Sequence, residues 1–278
     1  MSFKSLNIKG RLRPLHEPLV MGILNVTPDS FYEKSRKQTE QEIDDRIATI
    51  LEEGGEIVDL GGCSTRPDAA EISAEEEMRR LVPALQLLQA HYPDVAVSLD
   101  TFRADVAQRA VEEYGVAIIN DISGGMDERM FETVAQLQTP YVLMHIRGTY
   151  RTMQQHTDYS DMMEEIMLYF AEKLRVLRLM GVNDIILDPG FGFSKTVDQN
   201  YELMRSLPEF ALFELPLLVG VSRKSMIYKF LDSTPDETLN ATTALHAYAL
   251  LNGADILRVH DVRAAVEVVK IINKLKTK

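Results

Sequence analysis

The chain is poor in several things, and each shortage excludes something. Its 278 residues include one cysteine, Cys63. A lone thiol makes no intrachain disulfide and no cysteine-rich zinc site, and the shortage fits a reducing compartment. Positive charge is also scarce: 30 Lys and Arg face 42 Asp and Glu, a formal net charge of −12. Such a surface repels nucleic acid and anionic membranes, so neither is expected as a partner. A local group of Arg and Lys can still bind a small anion. No apolar run approaches the roughly 18 residues of a membrane span. The opening segment MSFKSLNIKGRLRPLHEP lacks the apolar core of a signal peptide. Low-complexity segments, long linkers and short-period repeats are missing as well. A soluble cytoplasmic protein is expected.

What is present is a recurring unit. Short apolar runs end at polar residues and give way to amphipathic segments. The runs are Leu19–Leu24, Ile57–Leu60, Val95–Leu99, Val116–Ile119, Tyr141–Met144, Ile185–Leu187, Leu217–Val221 and Ile256–Val259. Most are too continuous for half-exposed strands and read as parallel strands covered on both faces. Helical periodicity marks Thr39–Glu53, Ser73–His91, Arg103–Tyr114, Asp161–Met180 and Asp261–Lys276, and Ser73 with Glu76 has the spacing of a capping box. Alternating β and α units predict a parallel sheet. A doubly wound open sheet competes with a (β/α)8 barrel, but the polar strand ends favour the barrel, where all eight converge on one mouth. Those ends are Asn25, Asp59, Asp100, Asn120, His145, Asp188, Lys224, and Arg258 with His260. One α/β TIM barrel over residues 1–278 is therefore expected, with Phe3–Pro14 as a small hairpin covering its bottom.

Several of these ends sit in motifs that admit two readings. Asn25, before Thr-Pro-Asp-Ser, is either a turn residue or a metal or phosphate ligand. Gly61 to Arg66 combines paired glycines with Ser64, Thr65 and Arg66, an anion-binding set or simply a helix entry. Asp100 and Asn120 can read the donor and acceptor edge of a heterocycle, or Asp100–Thr101 can cap a helix. His145 reads first as a hydrogen-bonded structural group and Met144 as a pocket wall. Ser222, Arg223, Lys224, Ser225, Arg258 and His260 lie after strands seven and eight, the usual phosphate site of barrels. The stretch ILDPGFGFSK invites comparison with a Walker A loop, but Pro189 stands where its first glycine is required and Ser194 precedes Lys195, so that reading fails. Asp188 with Phe193 suits a flat ligand with a polar edge.

Together these runs resemble dihydropteroate synthase along nearly the whole chain. The matching segments are MGILNVTPDSF, GGCSTRP, SLDT, INDISGG, MHIRGTYRTMQ, DPGFGFSKT, LVGVSRKS and ILRVHDV, in order and at matching spacing. The resemblance implies a usually dimeric (β/α)8 barrel that joins 6-hydroxymethyl-7,8-dihydropterin diphosphate to 4-aminobenzoate. It also implies that Asp100, Asn120, Asp188 and Lys224 bind the pterin edge, with Met144 and Phe193 beside its ring. Asn25, Arg66, Arg258 and His260 hold the diphosphate, with Mg2+ near Asn25. Thr65, Pro67, Ser225 and Phe31 shape the aminobenzoate site. The chemistry falls to Asp100, Asp188, Lys224 and Arg258, with no general base and no covalent residue. A methyltetrahydrofolate-dependent methyltransferase shares such a barrel but needs no pyrophosphate cluster. The sequence departs from the family pattern at YEKSR after TPDSF, and at Cys63, Asp68, Tyr150 and Ser194, the last replacing a glycine.

Overall fold

The computed structural model describes residues 4–27, 36–64 and 71–276, with backbone alone for 36–39. The chain opens with an antiparallel hairpin, β1 (Ser5–Ile8) and β2 (Arg11–Pro14), as expected. Lys9 and Gly10 both have positive φ, which a two-residue turn matching the strand twist requires. Leu6 is fully buried and packs with Leu19, Met21 and Ile57, so the hairpin closes the barrel floor. Lys4 pairs with Asp255 at 2.8 Å, and the Asn7 amide donates to Asp184, which ties the hairpin to two barrel loops.

Eight parallel strands follow: β3 (Leu19–Asn25), β4 (Ile57–Gly61), β5 (Ala96–Asp100), β6 (Ile118–Asp121), β7 (Tyr141–Met144), β8 (Ile185–Asp188), β9 (Leu218–Val219) and β10 (Ile256–Val259). Each pairs with its sequence neighbour except that β10 also pairs with β3. A parallel bridge between Leu187 and Leu217 joins β8 to the chain entering β9, and the barrel closes. Strand β9 is shorter than its apolar run because Val221 already accepts the turn bond from the Lys224 amide.

The helices around it are α1 (Arg36–Glu52), α2 (Ala74–His91), α3 (Ala104–Tyr114), α4 (Met130–Leu137), α5 (Met162–Leu179), α6 (Val197–Arg205), α7 (Ser225–Tyr228), α8 (Leu239–Leu251) and α9 (Val262–Lys276). Ser73 caps α2 by accepting the Glu76 amide, while the Glu76 carboxylate turns to Arg79 and Arg80 and is held at a pKa of about 2. Asp161 caps α5 in the same way from the Glu164 amide. Strand side chains alternate between two cores. Val58, Leu60, Leu99, Leu143, Leu187 and Val259 face the helices. Ile57, Ala96, Ile118, Val142, Ile186 and Ile256 fill the barrel. Two residues further along each strand, the inward positions are Asp59, Ser98, Asn120, Met144, Asp188 and Arg258. The barrel is therefore apolar below and polar above.

Helix α8 carries a buried His246, 2 % exposed, whose ring nitrogens find no hydrogen-bond partner among the described residues. Burial lowers its pKa to about 4, with Asp261 opposing. The neutral ring thus contributes stability that is intact above the unfolded value of 6.5 and is lost as pH falls from there toward 4. Relative to a His246→Leu variant, the wild type should lose about 2 kcal/mol between pH 7 and pH 5. Urea denaturation at the two pH values measures this, and a constant difference between the proteins would reject it.

Candidate active site

The alternation that fills the barrel also delivers the site. Asp59, Asn120, Asp188 and Arg258 stand one layer above the last apolar layer, and Asp100, two residues beyond Ser98, joins them over an apolar floor. Arg258 is their hub. Its Nε donates to Asp59 Oδ2 at 2.6 Å and its Nη2 to Asp100 Oδ2 at 2.7 Å. Asp59 is fully buried, and the Asn120 amide nitrogen also donates to it, at 3.2 and 3.3 Å. That contact fixes the carboxamide: Asn120 Oδ1 is buried with no hydrogen-bond partner among the described residues. Burial raises Asp100 to about 7, with Arg258 opposing the rise. Burial alone would lower Arg258, but Asp59 and Asp100 more than offset it and its charge is held firmly.

The DPGFGFSK stretch forms the neighbouring wall. The Gly190 amide donates to Asp188 Oδ1 at 2.8 Å, closing a tight Asx turn. Asp188 Oδ2 has no hydrogen-bond partner among the described residues. Burial raises the Asp188 pKa, and Lys224 counters it. Lys224 donates to the Phe191 carbonyl at 2.6 Å, and its ammonium stands 4.9 Å from the centre of the Phe193 ring. Burial brings Lys224 down to about 8, with Asp188 acting against it. Met144 is buried in a small cluster with Ile122, Ile146 and Met153, against which Phe193 packs.

Further round the mouth from this wall lie other residues expected to bind substrate. His260 is partly buried, and its Nδ1 faces Ser222 Oγ at 3.1 Å. Burial, then Arg258 and Arg223, lowers it to about 4, so it is neutral at pH 7. Ser225 starts α7, one residue after Lys224, and is also partly buried. Arg223 turns away and binds Asp261 and Asp236. Asn25 is exposed at the end of β3, and a Cβ on Gly61 would stand 2.9 Å from its Oδ1. Thr65, Arg66, Pro67, Asp68 and Phe31 lie outside the described residues. Burial raises the pKa of the Cys63 thiol, which makes it a weak nucleophile.

Two participants drew no role from the sequence alone. Asp59 is the buried anchor of Arg258 and sits at the inward parity of β4, the signal that finds it. Lys195 is 3 % exposed and contacts His145, with a pKa drawn down to about 7 by burial against the pull of Asp188. Replacing Arg258 leaves Asp59 buried without its cation. Arg258→Met should therefore cost about 3–5 kcal/mol in a chemical denaturation. Adding Asp59→Asn should recover part of the loss, and simple additivity of the two changes would contradict the pairing.

Residues 21–260 match the family model described as pterin binding enzyme. A dihydropteroate synthase of Synechocystis sp. is 44% identical over 260 residues, 92% of this chain and 89% of the relative. The dihydropteroate synthase of Escherichia coli K12 is 39% identical over 266 residues, 95% and 94% of the two chains. The solved structure of the Yersinia pestis enzyme with a sulfonamide drug complex superposes with a TM-score of 0.90 at 38% identity, covering 99% of this chain and 100% of that one. The Xanthomonas albilineans enzyme with 4-aminobenzoic acid gives 0.90 at 33%, over the full length of both chains. The barrel and the resemblance read from the motifs are thereby borne out, and the chain belongs to the dihydropteroate synthase family, pterin-binding transferases of folate synthesis.

Proposed function

We propose that the chain condenses 6-hydroxymethyl-7,8-dihydropterin diphosphate with 4-aminobenzoate to give 7,8-dihydropteroate and pyrophosphate. The observation that carries the site assignment is the pair of unclaimed acceptors in one mouth. Asn120 Oδ1 is buried and unpartnered among the described residues, and Asp188 Oδ2 is open beside the Lys224 ammonium. A ring edge offering several N–H donors and an acceptor satisfies all three, and unmet buried groups reject ligands lacking that edge. Met144 and Phe193 flank the ring. The bond from the pterin methylene to the diphosphate oxygen breaks, and pyrophosphate leaves with the electron pair. The arylamine nitrogen donates its lone pair to the methylene and releases a proton to water. Asp100 and Asp188 stabilise positive charge building on the ring, and Arg258, with Arg66 and His260, receives the leaving group. Thr65 and Ser225 flank the aminobenzoate, whose amine needs positioning more than activation.

Mg2+ fits this reading. A hard cation that keeps several waters and shares phosphate oxygens needs only one or two protein oxygens. The exposed Asn25 amide, with no hydrogen-bond partner among the described residues, supplies one, and the bare Gly61 backbone leaves it room. Among the described residues no cluster of three His, Cys, Asp or Glu offers a rival site. When bound, the cation would neutralise charge on the departing pyrophosphate. A homodimer is supported by the exposed Tyr248 and Leu251 of α8 and Ile271 and Leu275 of α9, an apolar set on the two final helices. The free Cys63 fits the reducing cytoplasm. No helix among the described residues is long and apolar enough to cross a membrane.

Purified protein should release pyrophosphate only when the pterin diphosphate and an arylamine are both present. Asp188→Ala should lower kcat/KM by about 100-fold, the scale of a lost charged hydrogen-bond anchor. Release without the arylamine, or full activity in the variant, would contradict the assignment. Chelating divalent cations should stop turnover and weaken the pterin diphosphate while leaving free hydroxymethyl-dihydropterin bound as before. Calorimetry distinguishes these, and equal losses for both ligands would count against a metal at the diphosphate.

A further inference from the structure

Lys195 is buried in the wall of the mouth yet has no part in the reaction as written. Its ammonium carries three protons and has three acceptors: His145 Nδ1 at 3.0 Å, the Gly190 carbonyl at 3.1 Å and the Phe193 carbonyl at 3.0 Å. The charged form cannot accept, so in that form His145 Nδ1 accepts and the imidazole proton sits on Nε2. The two carbonyls belong to the Asp188–Phe193 loop, and the histidine follows β7. One side chain therefore ties the end of β8 to the end of β7.

Its neighbour repeats the tie. Ser194 is fully buried, and its Oγ accepts the Arg147 amide at 2.8 Å and donates to the Arg147 carbonyl at 2.9 Å. It does so at φ +53°, a left-handed conformation that disfavours a residue with a Cβ. The two loops meet closely here: a Cβ on Gly190 would lie 2.1 Å from the His145 carbonyl oxygen. The His145 ring is itself fixed edge-on by Tyr169 at 4.9 Å. From the other side, Asn200 of α6 accepts the Gly192 amide at 2.6 Å.

We propose that Ser194 and Lys195 are positioning residues, a buckle that clamps the Asp188–Phe193 loop to the end of β7 and so sets the affinity of the pterin pocket. The buckle rests on the reading of Asp188 and Phe193 as pterin-binding residues. Asp188 takes its angle from the Gly190 turn, and Phe193 hangs from the carbonyl that Lys195 holds. A buried amine with no carboxylate in contact among the described residues is costly to keep, and methionine would fill the same space, so apolar packing alone does not explain the lysine.

The test uses the full chain, with calorimetry of 6-hydroxymethyl-7,8-dihydropterin and steady-state kinetics. Lys195→Met should weaken the pterin and raise the KM for its diphosphate about tenfold or more, while kcat at saturation and the KM for the arylamine change less than about threefold. His145→Leu should behave likewise, His145→Gln, which keeps an acceptor, should retain near wild-type affinity, and Lys195→Met with His145→Leu should be no worse than either alone. Wild-type pterin affinity in Lys195→Met, equal losses for both substrates, or additive losses in the double variant would overturn the proposal. Should Lys195→Met not fold, equal affinities in His145→Gln and His145→Leu would overturn it instead. Asp188→Ala separates the two readings. If it loses the pterin and Lys195→Met does not, the buckle alone fails. If Asp188→Ala binds as the wild type does, the assignment of Asp188 fails and the buckle with it.

Discussion

Arg258 lying between Asp59 and Asp100 is the constraint on which the rest of the site depends. The barrel alternation forces inward side chains to share one narrow space, and two carboxylates there repel each other at close range. A guanidinium at the same level makes the arrangement tenable, since its fork serves two acceptors at once. Both oxygens of Asp59 also accept from the Asn120 amide, which commits Asn120 to present its carbonyl to the mouth. The order of consequences runs from ion pair to amide orientation to an open acceptor.

The same low-dielectric floor explains the protonation states around it. Burial disfavours charge everywhere, raising Asp100 and Asp188 and lowering Lys224, Lys195 and His260. Opposed charges then decide which groups stay ionised. Arg258 keeps its charge because two carboxylates reach it directly, whereas His260, set between Arg258 and Arg223, gives up its own. A neutral His260 can donate to a phosphate oxygen without adding charge, while Arg258 supplies the field. On the proposed reading, the ring edge meets carboxylates from β5 and β8 and the Lys224 ammonium after β9, and the diphosphate meets Arg258 and His260 at the end of β10. The division follows strand order around the barrel.

Much of this was legible in the sequence, because strand ends carry two signals at once. A run such as Ile185–Leu187 announces a buried strand, and the polar residue that stops it, Asp188, must lie where the barrel opens. Continuous apolar runs located all eight strands, a capping signal at Ser73 located the start of α2, and helical periodicity located α5. Helix α8 escaped notice because it is apolar on almost every face, with Leu239, Tyr248 and Leu251 exposed as well as Ala249 and Leu250 buried, so periodicity has nothing to mark. Arg223 read as part of a basic cluster, yet it is taken up by Asp261 and Asp236, partners set by the fold. Lys195 was unreadable for a deeper reason. Its three acceptors come from His145, Gly190 and Phe193, and only the barrel brings His145, fifty residues upstream, to the ammonium.

Recognition and reaction draw on different parts of one layer. The chain as a whole carries a charge of −12, so long-range forces oppose an anionic substrate. Local geometry has to reverse that field, and it does so with few groups. The Lys224 and Arg258 cations sit within the mouth, Arg258 held there by Asp59 and Asp100, whereas Arg79, Arg109 and Arg129 pair with carboxylates out at the surface. A cation held over an apolar floor acts through little water, which strengthens its pull on a phosphate by far more than an exposed one could manage. The acidic exterior and the buried cations of the mouth are thus compatible. The first governs encounter at long distance, the second the energy of contact, and the buried pairs beneath keep the second in place.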